Sequence, residues 1–195
     1  HPPTLTAIVG RACALTMNRY PALNGMLRYG TIYLRSSVEI LFQAAVDTEG
    51  HELSAIRVSD AETKDIYSIM QEVLEQGKKI RNHQDENFNR VKSQFSMMPP
   101  IFMRYILSFT SFLIYTLNLD LSFLGVPKDP FGSVMITNVG SLGIDFGFAP
   151  LIHYSRTPLL IAIGNINDEA VVRDGQVAVA PMQLVGIFYA PGDRG

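Results

Sequence analysis

The stretch DPFGSVMITNVGSLGIDFGF, residues 129–148, decides the fold. Its segment VMIT, residues 134–137, is mainly β-branched, which favours an extended, half-buried strand. Glycines surround this segment, and glycine accepts positive φ and lets another backbone come close. We therefore predict a strand that delivers its last residues into a tight and crowded turn.

Length and composition limit the number of domains and the class of protein. The chain has 195 residues, of which 47% are hydrophobic and 17% charged. This is enough for one sizeable core and too little for two comfortable domains, so we predict a single domain over residues 1–195. The net charge of −2 and the absence of a basic cluster argue against nucleic-acid binding.

The cysteine count and the spacing of potential metal ligands limit which disulfides, nucleophiles and metal sites are possible. Cys13 is the only cysteine, so no intrachain disulfide can form, and we expect a cytoplasmic protein. Cys13 lies within a predicted helix, where we expect it to pack rather than to act as a nucleophile. No His, Cys, Asp and Glu residues are grouped at metal-ligand spacing, so we predict no metal.

Hydrophobic periodicity predicts the order of the elements. Residues 4–20 have helical spacing, residues 38–46 alternate as a strand does, and residues 53–58 form the returning strand of a hairpin. The segment Ser59 to Glu62 has the spacing of a capping box, which predicts a long helix after it. The last third is strand after strand, with Asp174-Gly175 at a hairpin turn. This order predicts an α/β two-layer sandwich in which helices cover one mixed sheet.

Residues 97–126 form a hydrophobic segment that we predict to be a helical insert. Its part 101–117 is mostly apolar before Asn118 and Asp120 interrupt it. A membrane span needs roughly 20 apolar residues, so we favour a buried or subunit-contact helix. A helix lying on a membrane surface and a true span stay open as alternatives.

Three segments together resemble a known family. They are NRYPALNG at 18–25, GSVMITNVGSLG at 132–143 and APLIHYSRTPLLIAIG at 149–164. In this order, with the hairpin and the long helix between the first two, they resemble the catalytic domain of the 2-oxo acid dehydrogenase (dihydrolipoyl) acyltransferases. The fold of that family is shared with chloramphenicol acetyltransferase. The chain looks like a divergent member, because the family usually carries a shorter segment where residues 97–126 stand.

The resemblance implies a reaction and a site. Members of the family move an acyl group between coenzyme A and the thiol of a dihydrolipoyl group, and a hydroxyl donates a hydrogen bond to the oxyanion. The matching residue here is Thr137, followed by Asn138, and we predict these two as catalytic residues. Gly140 and Gly143 would then fold the turn tightly beside the substrate channel. The resemblance assigns no residue that binds coenzyme A.

The general base of the family has no match in this sequence. The family places a histidine in D-H-R-x-x-D-G after the last core strand, and here the chain reads APGDRG and stops at Gly195. Asp193 and His153 are weak substitutes, and His153 is better explained as a structural histidine. The chain also begins abruptly at His1, so we expect the domain to be incomplete at both ends. The alternative is a non-catalytic scaffold that keeps the fold without the base.

The resemblance also implies an assembly. Family members form homotrimers whose active sites lie between neighbouring copies, and some trimers build cubic cages. We therefore expect a homotrimer or a cage of trimers, and a lipoylated or other thiol acceptor as partner. The positive mean hydropathy of +0.15 is compatible with a substantial buried interface.

Overall fold

A computed structural model of the chain describes residues 2–28, 31–45, 53–81, 131–148 and 157–189, and the single residues 105, 109 and 112. In chain order the elements are helix α1 (Leu5–Arg19), a 3-10 turn (Pro21–Asn24), strands β1 (Gly25–Arg28), β2 (Thr31–Leu34), β3 (Ile40–Ala45) and β4 (Leu53–Val58), helix α2 (Ile66–Arg81), strand β5 (Val134–Asn138), a 3-10 turn (Val139–Leu142), and strands β6 (Leu159–Arg173) and β7 (Gln176–Tyr189).

The main sheet is mixed, with the strand order β4-β3-β5-β6-β7. Strand β5 lies at its centre and is parallel to β3 and to β6. The outer pairs β3–β4 and β6–β7 are antiparallel hairpins. This confirms the predicted α/β architecture with a mixed sheet, and it brings the glycine-rich turn after β5 to the middle of one sheet edge.

The helices cover one face of this sheet. Side chains of α1 and α2 pack in one buried cluster with alternate residues of the strands, which include Ile40, Phe42, Val134, Ile136, Ile161 and Ile163. The residues between them point to the opposite face, where Leu41, Met135 and Leu160 form a second, smaller cluster. The period-two pattern of each strand therefore divides the sheet into a helix-covered face and an opposite, helix-free face, on which neither α1 nor α2 packs.

Helix α1 matches the predicted helix over residues 4–20. Thr4 caps it, since the hydroxyl of Thr4 accepts a hydrogen bond from the backbone N–H of Ala7 at 3.3 Å. The helix packs closely on the sheet at Gly10, where a Cβ atom would meet the ring of Phe42 at 2.7 Å. Its buried stripe is Ala7, Gly10, Cys13, Ala14 and Met17.

The predicted long helix is present, but the predicted capping box is wrong. Helix α2 begins at Ile66, and Asp65 caps it by accepting a hydrogen bond from the N–H of Ser68 at 2.8 Å. Hydrogen bonds from the side chain and the backbone of Ser68 hold the pKa of Asp65 below its ordinary value. The carboxylate of Glu62 instead accepts a hydrogen bond from the N–H of Val38 at 3.0 Å, because residues 60–64 turn back toward β3.

The carboxyl-terminal hairpin is longer than predicted. The sequence indicates separate strands, whereas β6 and β7 are continuous and pair along their length, with one irregularity between Ile163 and Ile166. The turn at Asp174-Gly175 is confirmed, and both residues have positive φ, of 52° and 78°. The short hairpin β1–β2 was not predicted.

The predicted insert over residues 97–126 lies mainly outside the described residues. Of that segment the structure describes Tyr105, Phe109 and Phe112, and all three side chains are exposed. No helix within the described parts of the chain is both long enough and apolar enough to cross a bilayer.

Candidate active site

Thr137 lies at the carboxyl end of the central strand, on the helix-free face. Val134 and Ile136 of β5 are fully buried under the helices, while Met135 belongs to the cluster on the opposite side. Because side chains alternate along a strand, Thr137 shares the face of Met135. The side chain of Thr137 is half-buried, and within the described residues its hydroxyl forms no hydrogen bond. Among the described residues, this hydroxyl is therefore a donor that no other group engages.

The surroundings of Thr137 are set by the strand register. One row of paired residues runs across the whole sheet on the helix-free face and consists of Ala55, Gln43, Thr137, Ala162 and Gly186. The next row on the same face consists of Arg57, Leu41, Met135, Leu160 and Phe188. Apart from Gln43, the row of Thr137 is thus built from short side chains, and it lies beside a row of long ones.

Asn138 has a different setting. Its amide nitrogen donates to the hydroxyl of Thr6 in α1 at 3.3 Å, and its amide oxygen accepts from the N–H of Ser141 at 3.2 Å. Its carbonyl oxygen accepts from the Ser141 hydroxyl at 2.7 Å. Asn138 therefore faces α1 and caps the 3-10 turn that follows β5. The structure does not bring the two predicted site residues together, because they point to opposite faces of the sheet.

The glycine-rich turn is tightly folded, as the sequence predicts. A Cβ atom at Gly140 would collide with the carbonyl of Gly164, and one at Gly164 would collide with the carbonyl of Asp145. Gly143 closes the turn with φ of 74°. The turn is fastened to β6 by a hydrogen bond from the N–H of Asn165 to the carbonyl of Ile144 at 3.0 Å. The glycines permit this close approach of two backbones.

The residues considered as a base lie outside the described residues. This holds for His153 and Asp193, and also for His1, His51 and His83. Cys13 is described and is buried in the helix-covered core, where burial raises the pKa of its thiol to about 11. A thiol with that pKa is protonated at neutral pH, so Cys13 is a packing residue, as expected. No group of three His, Cys, Asp or Glu side chains suited to a metal ion occurs in the parts of the chain that the structure describes.

Sequence reasoning missed Gln43. This residue pairs with Thr137 in the parallel register of β3 and β5, and its side chain is half-buried on the same face. In the sequence Gln43 is one polar residue in an apolar strand, which favours no particular role. Only the strand order places it beside Thr137.

No protein-family model matches the sequence, and no curated protein matches it either. Solved structures do match it. A probable dihydrolipoamide acetyltransferase from Listeria monocytogenes is similar with a TM-score of 0.60 and 18% identity, over 94% of this chain and 59% of that one. The dihydrolipoamide acetyltransferase of Azotobacter vinelandii, studied for the roles of a serine, a histidine and an asparagine in its catalytic mechanism, matches with a TM-score of 0.58 and 14% identity, over 94% of this chain and 58% of that one.

A third match has the same score. The cubic core of the pyruvate dehydrogenase multienzyme complex has a TM-score of 0.58 and 15% identity, over 94% of this chain and 58% of that one. At these identities the likeness establishes the fold: this chain has the fold of dihydrolipoamide acetyltransferase catalytic cores. It spans somewhat under three fifths of the length of the structures that it matches.

Proposed function

We propose that this chain is a divergent acyltransferase domain that moves an acyl group between coenzyme A and a thiol such as dihydrolipoamide in the cytoplasm. The observation that carries the proposal is the hydroxyl of Thr137. It stands at the end of the central parallel strand, half-buried, and it forms no hydrogen bond within the described residues. A donor without a partner among the described residues suits a group on which negative charge develops during reaction.

The chemistry is a thioester exchange. The sulfur of the acceptor thiol attacks the carbonyl carbon, a carbon–sulfur bond forms, and the carbonyl electron pair moves to oxygen. Thr137 donates its hydrogen bond to this oxyanion. The intermediate then collapses, the bond to the sulfur of coenzyme A breaks with its electron pair on sulfur, and the leaving thiolate takes up the proton lost by the acceptor thiol. A base that carries this proton would increase the rate, roughly 10²- to 10⁴-fold.

A second part of the proposal is assembly into a homotrimer or a cage of trimers. Beyond the irregularity in β6, the β6–β7 hairpin exposes one valine-rich face, where Val172 pairs with Val177 and Ala170 with Val179. The three valines are 73–76% exposed. A two-stranded ribbon is only marginally stable alone, and β7 is an edge strand of the sheet. Contact with a second copy would cover this apolar face.

The assembly can be tested on the ribbon itself. We expect Val177→Glu to lower the molecular mass measured by light scattering, because a charge would be buried in the contact. The control is Gln71→Glu, which adds the same charge at an exposed position of α2 and should leave the mass unchanged. Val73→Glu in the same helix would not serve, because Val73 packs against the core. A mass unchanged by Val177→Glu would refute the ribbon as the contact.

The competing function is a non-catalytic scaffold that uses the same assembly. The apolar ribbon favours assembly under both functions, so it does not separate them. Turnover does. The protein made from its complete natural reading frame is incubated with acetyl-coenzyme A and dihydrolipoamide, and acetyl-dihydrolipoamide is measured by chromatography with mass detection. Acetylated product above the uncatalysed rate supports the acyltransferase, and an ordered oligomer without product supports the scaffold.

A further inference from the structure

Gln43 is the polar neighbour of Thr137 in the sheet. The two residues pair in the parallel register of β3 and β5, and neighbouring strands lie about 4.8 Å apart. Both precede the end of their strand closely, and both point to the helix-free face. Two side chains with hydrogen-bond donors therefore stand next to each other above the same edge of the sheet.

The other residues in the row of Gln43 and Thr137 have no side chain that can form a hydrogen bond. Ala55 pairs with Gln43, Ala162 pairs with Thr137, and Gly186 pairs with Ala162. None of these neighbours has a polar side-chain atom. A substrate atom that lies over this row can therefore receive side-chain hydrogen bonds from Gln43 and Thr137 alone among the row's members.

The amide of Gln43, like the hydroxyl of Thr137, has no partner in the part of the chain that the structure describes. Among the described residues its side chain forms no hydrogen bond, although it is half-buried. The two other half-buried glutamines that the structure describes are bonded: Gln183 donates to the carbonyl of Gly164 at 2.6 Å, and Gln76 donates to the carbonyl of Arg57 at 3.2 Å. The amide of Gln43 is not among the buried polar atoms without a partner, so it stays accessible to a group from outside the fold.

We propose that the side-chain amide of Gln43 donates a second hydrogen bond to the acyl oxygen, beside that of Thr137. This inference rests on the proposed acyltransferase function and extends it. An amide N–H donates without giving up its proton, so Gln43 would stabilise the oxyanion and take no part in proton transfer. Two donors from adjacent strands would also fix the direction of the carbonyl group, and thereby the face that the thiol attacks.

The test compares Gln43→Met, which keeps the length and removes the donor, with Gln71→Met on the exposed surface of α2. We expect Gln43→Met to lower kcat roughly 10²-fold, with KM for acetyl-coenzyme A nearly unchanged. Gln71→Met should match the wild type. The pH profile of Gln43→Met should keep the shape of the wild-type profile, because the lost group does not titrate. Gln43→Ala, which also removes the donor and is smaller, serves as a second variant should methionine disturb folding.

A double variant shows whether the two donors act together. Because both would bond the same oxygen, Gln43→Met combined with Thr137→Val should lose less than the product of the two single losses. If Thr137→Val loses activity while both Gln43 variants keep the wild-type kcat, the role of Gln43 is overturned and the proposed function stands. If the wild type has no turnover, the proposed function is overturned, and the role of Gln43 with it.

Discussion

The two last residues of β5 differ in what holds their side chains. Asn138 faces α1, and its amide is bonded at both ends, to Thr6 and to Ser141. Thr137 faces the helix-free side, and within the described residues its hydroxyl has no partner. Adjacent positions in one strand thus differ, since the side chain of Asn138 fastens the glycine-rich turn and that of Thr137 is engaged by no described residue.

The largest effect that this comparison predicts is on rate. Thr137→Val keeps the shape of the side chain and removes the hydroxyl, so kcat should fall roughly 10²- to 10³-fold. The free energy of unfolding, measured in urea, should change by less than about 1 kcal/mol, because no hydrogen bond of the fold is lost. A large loss of stability together with the loss of activity would make Thr137 a structural residue and remove the contrast with Asn138.

The next effect concerns the stability of the glycine-rich turn that Asn138 caps. Gly140→Ala should destabilise the protein by about 3 kcal/mol, because its Cβ would collide with the backbone of Gly164, which cannot move aside as a flexible side chain can. The matched control is Gly77→Ala in α2, where the Cβ would make an ordinary contact of 3.5 Å with Ile56. That substitution should stabilise the protein by roughly 0.5–1 kcal/mol. Equal melting temperatures for both variants would contradict the close packing of the turn.

Asn138→Ala should have a smaller effect, and on stability rather than on rate. Loss of the cap and of the bond to Thr6 should cost about 1–2 kcal/mol. Asn138→Asp should fall between the wild type and Asn138→Ala, because a carboxylate still accepts from Ser141 and no longer donates to Thr6. The measurement is urea unfolding together with kcat of the folded protein. If Asn138→Asp kept full stability and lost activity as Thr137→Val does, Asn138 would act in catalysis, as the sequence predicts.

The effect that is smallest at neutral pH belongs to Cys13, in the core beneath α1. Burial raises the pKa of Cys13 from 9.0 to about 11, so the unfolded chain releases this proton first as the pH rises. The contribution of Cys13 to stability is therefore complete below about pH 9 and declines between pH 9 and 11, by at most about 1.4 kcal/mol per pH unit.

Cys13→Ala provides the control for this pH dependence. The stability of the wild type should fall more steeply than that of Cys13→Ala between pH 9 and 11, and the two slopes should agree at pH 7. Turnover at pH 7 should be the same in both proteins, since the thiol is a packing group. Loss of turnover in a folded Cys13→Ala protein would show that the thiol takes part in the reaction.

The sequence predicted the elements whose pattern is long and regular. The alternation over residues 38–46 and the helical spacing over residues 4–20 follow from burial of one face, and the structure confirms both elements. The hairpin β1–β2 was missed because Ile32, Tyr33 and Leu34 are all exposed, so no alternation marks them. The capping box was wrong because Glu62 bonds Val38, a partner in another part of the chain.

The site was predictable only in part for the same reason. Thr137 and Asn138 come from a local motif, and the motif alone does not state to which face each side chain points. Gln43 has no motif, and its place beside Thr137 depends on the order of the strands in the sheet. Such non-local pairings are set by the packing of the whole domain, and the local sequence around either residue does not indicate them.

The most direct test of the account compares Thr137→Ser with Thr137→Val in the transfer of acetyl groups from coenzyme A to dihydrolipoamide. Serine keeps the donor without the methyl group, and valine keeps the methyl group without the donor. The account predicts that Thr137→Ser retains kcat within a few-fold of the wild type and that Thr137→Val loses it roughly 10²- to 10³-fold. Equal kcat values for the two variants would contradict a role of the hydroxyl in the reaction.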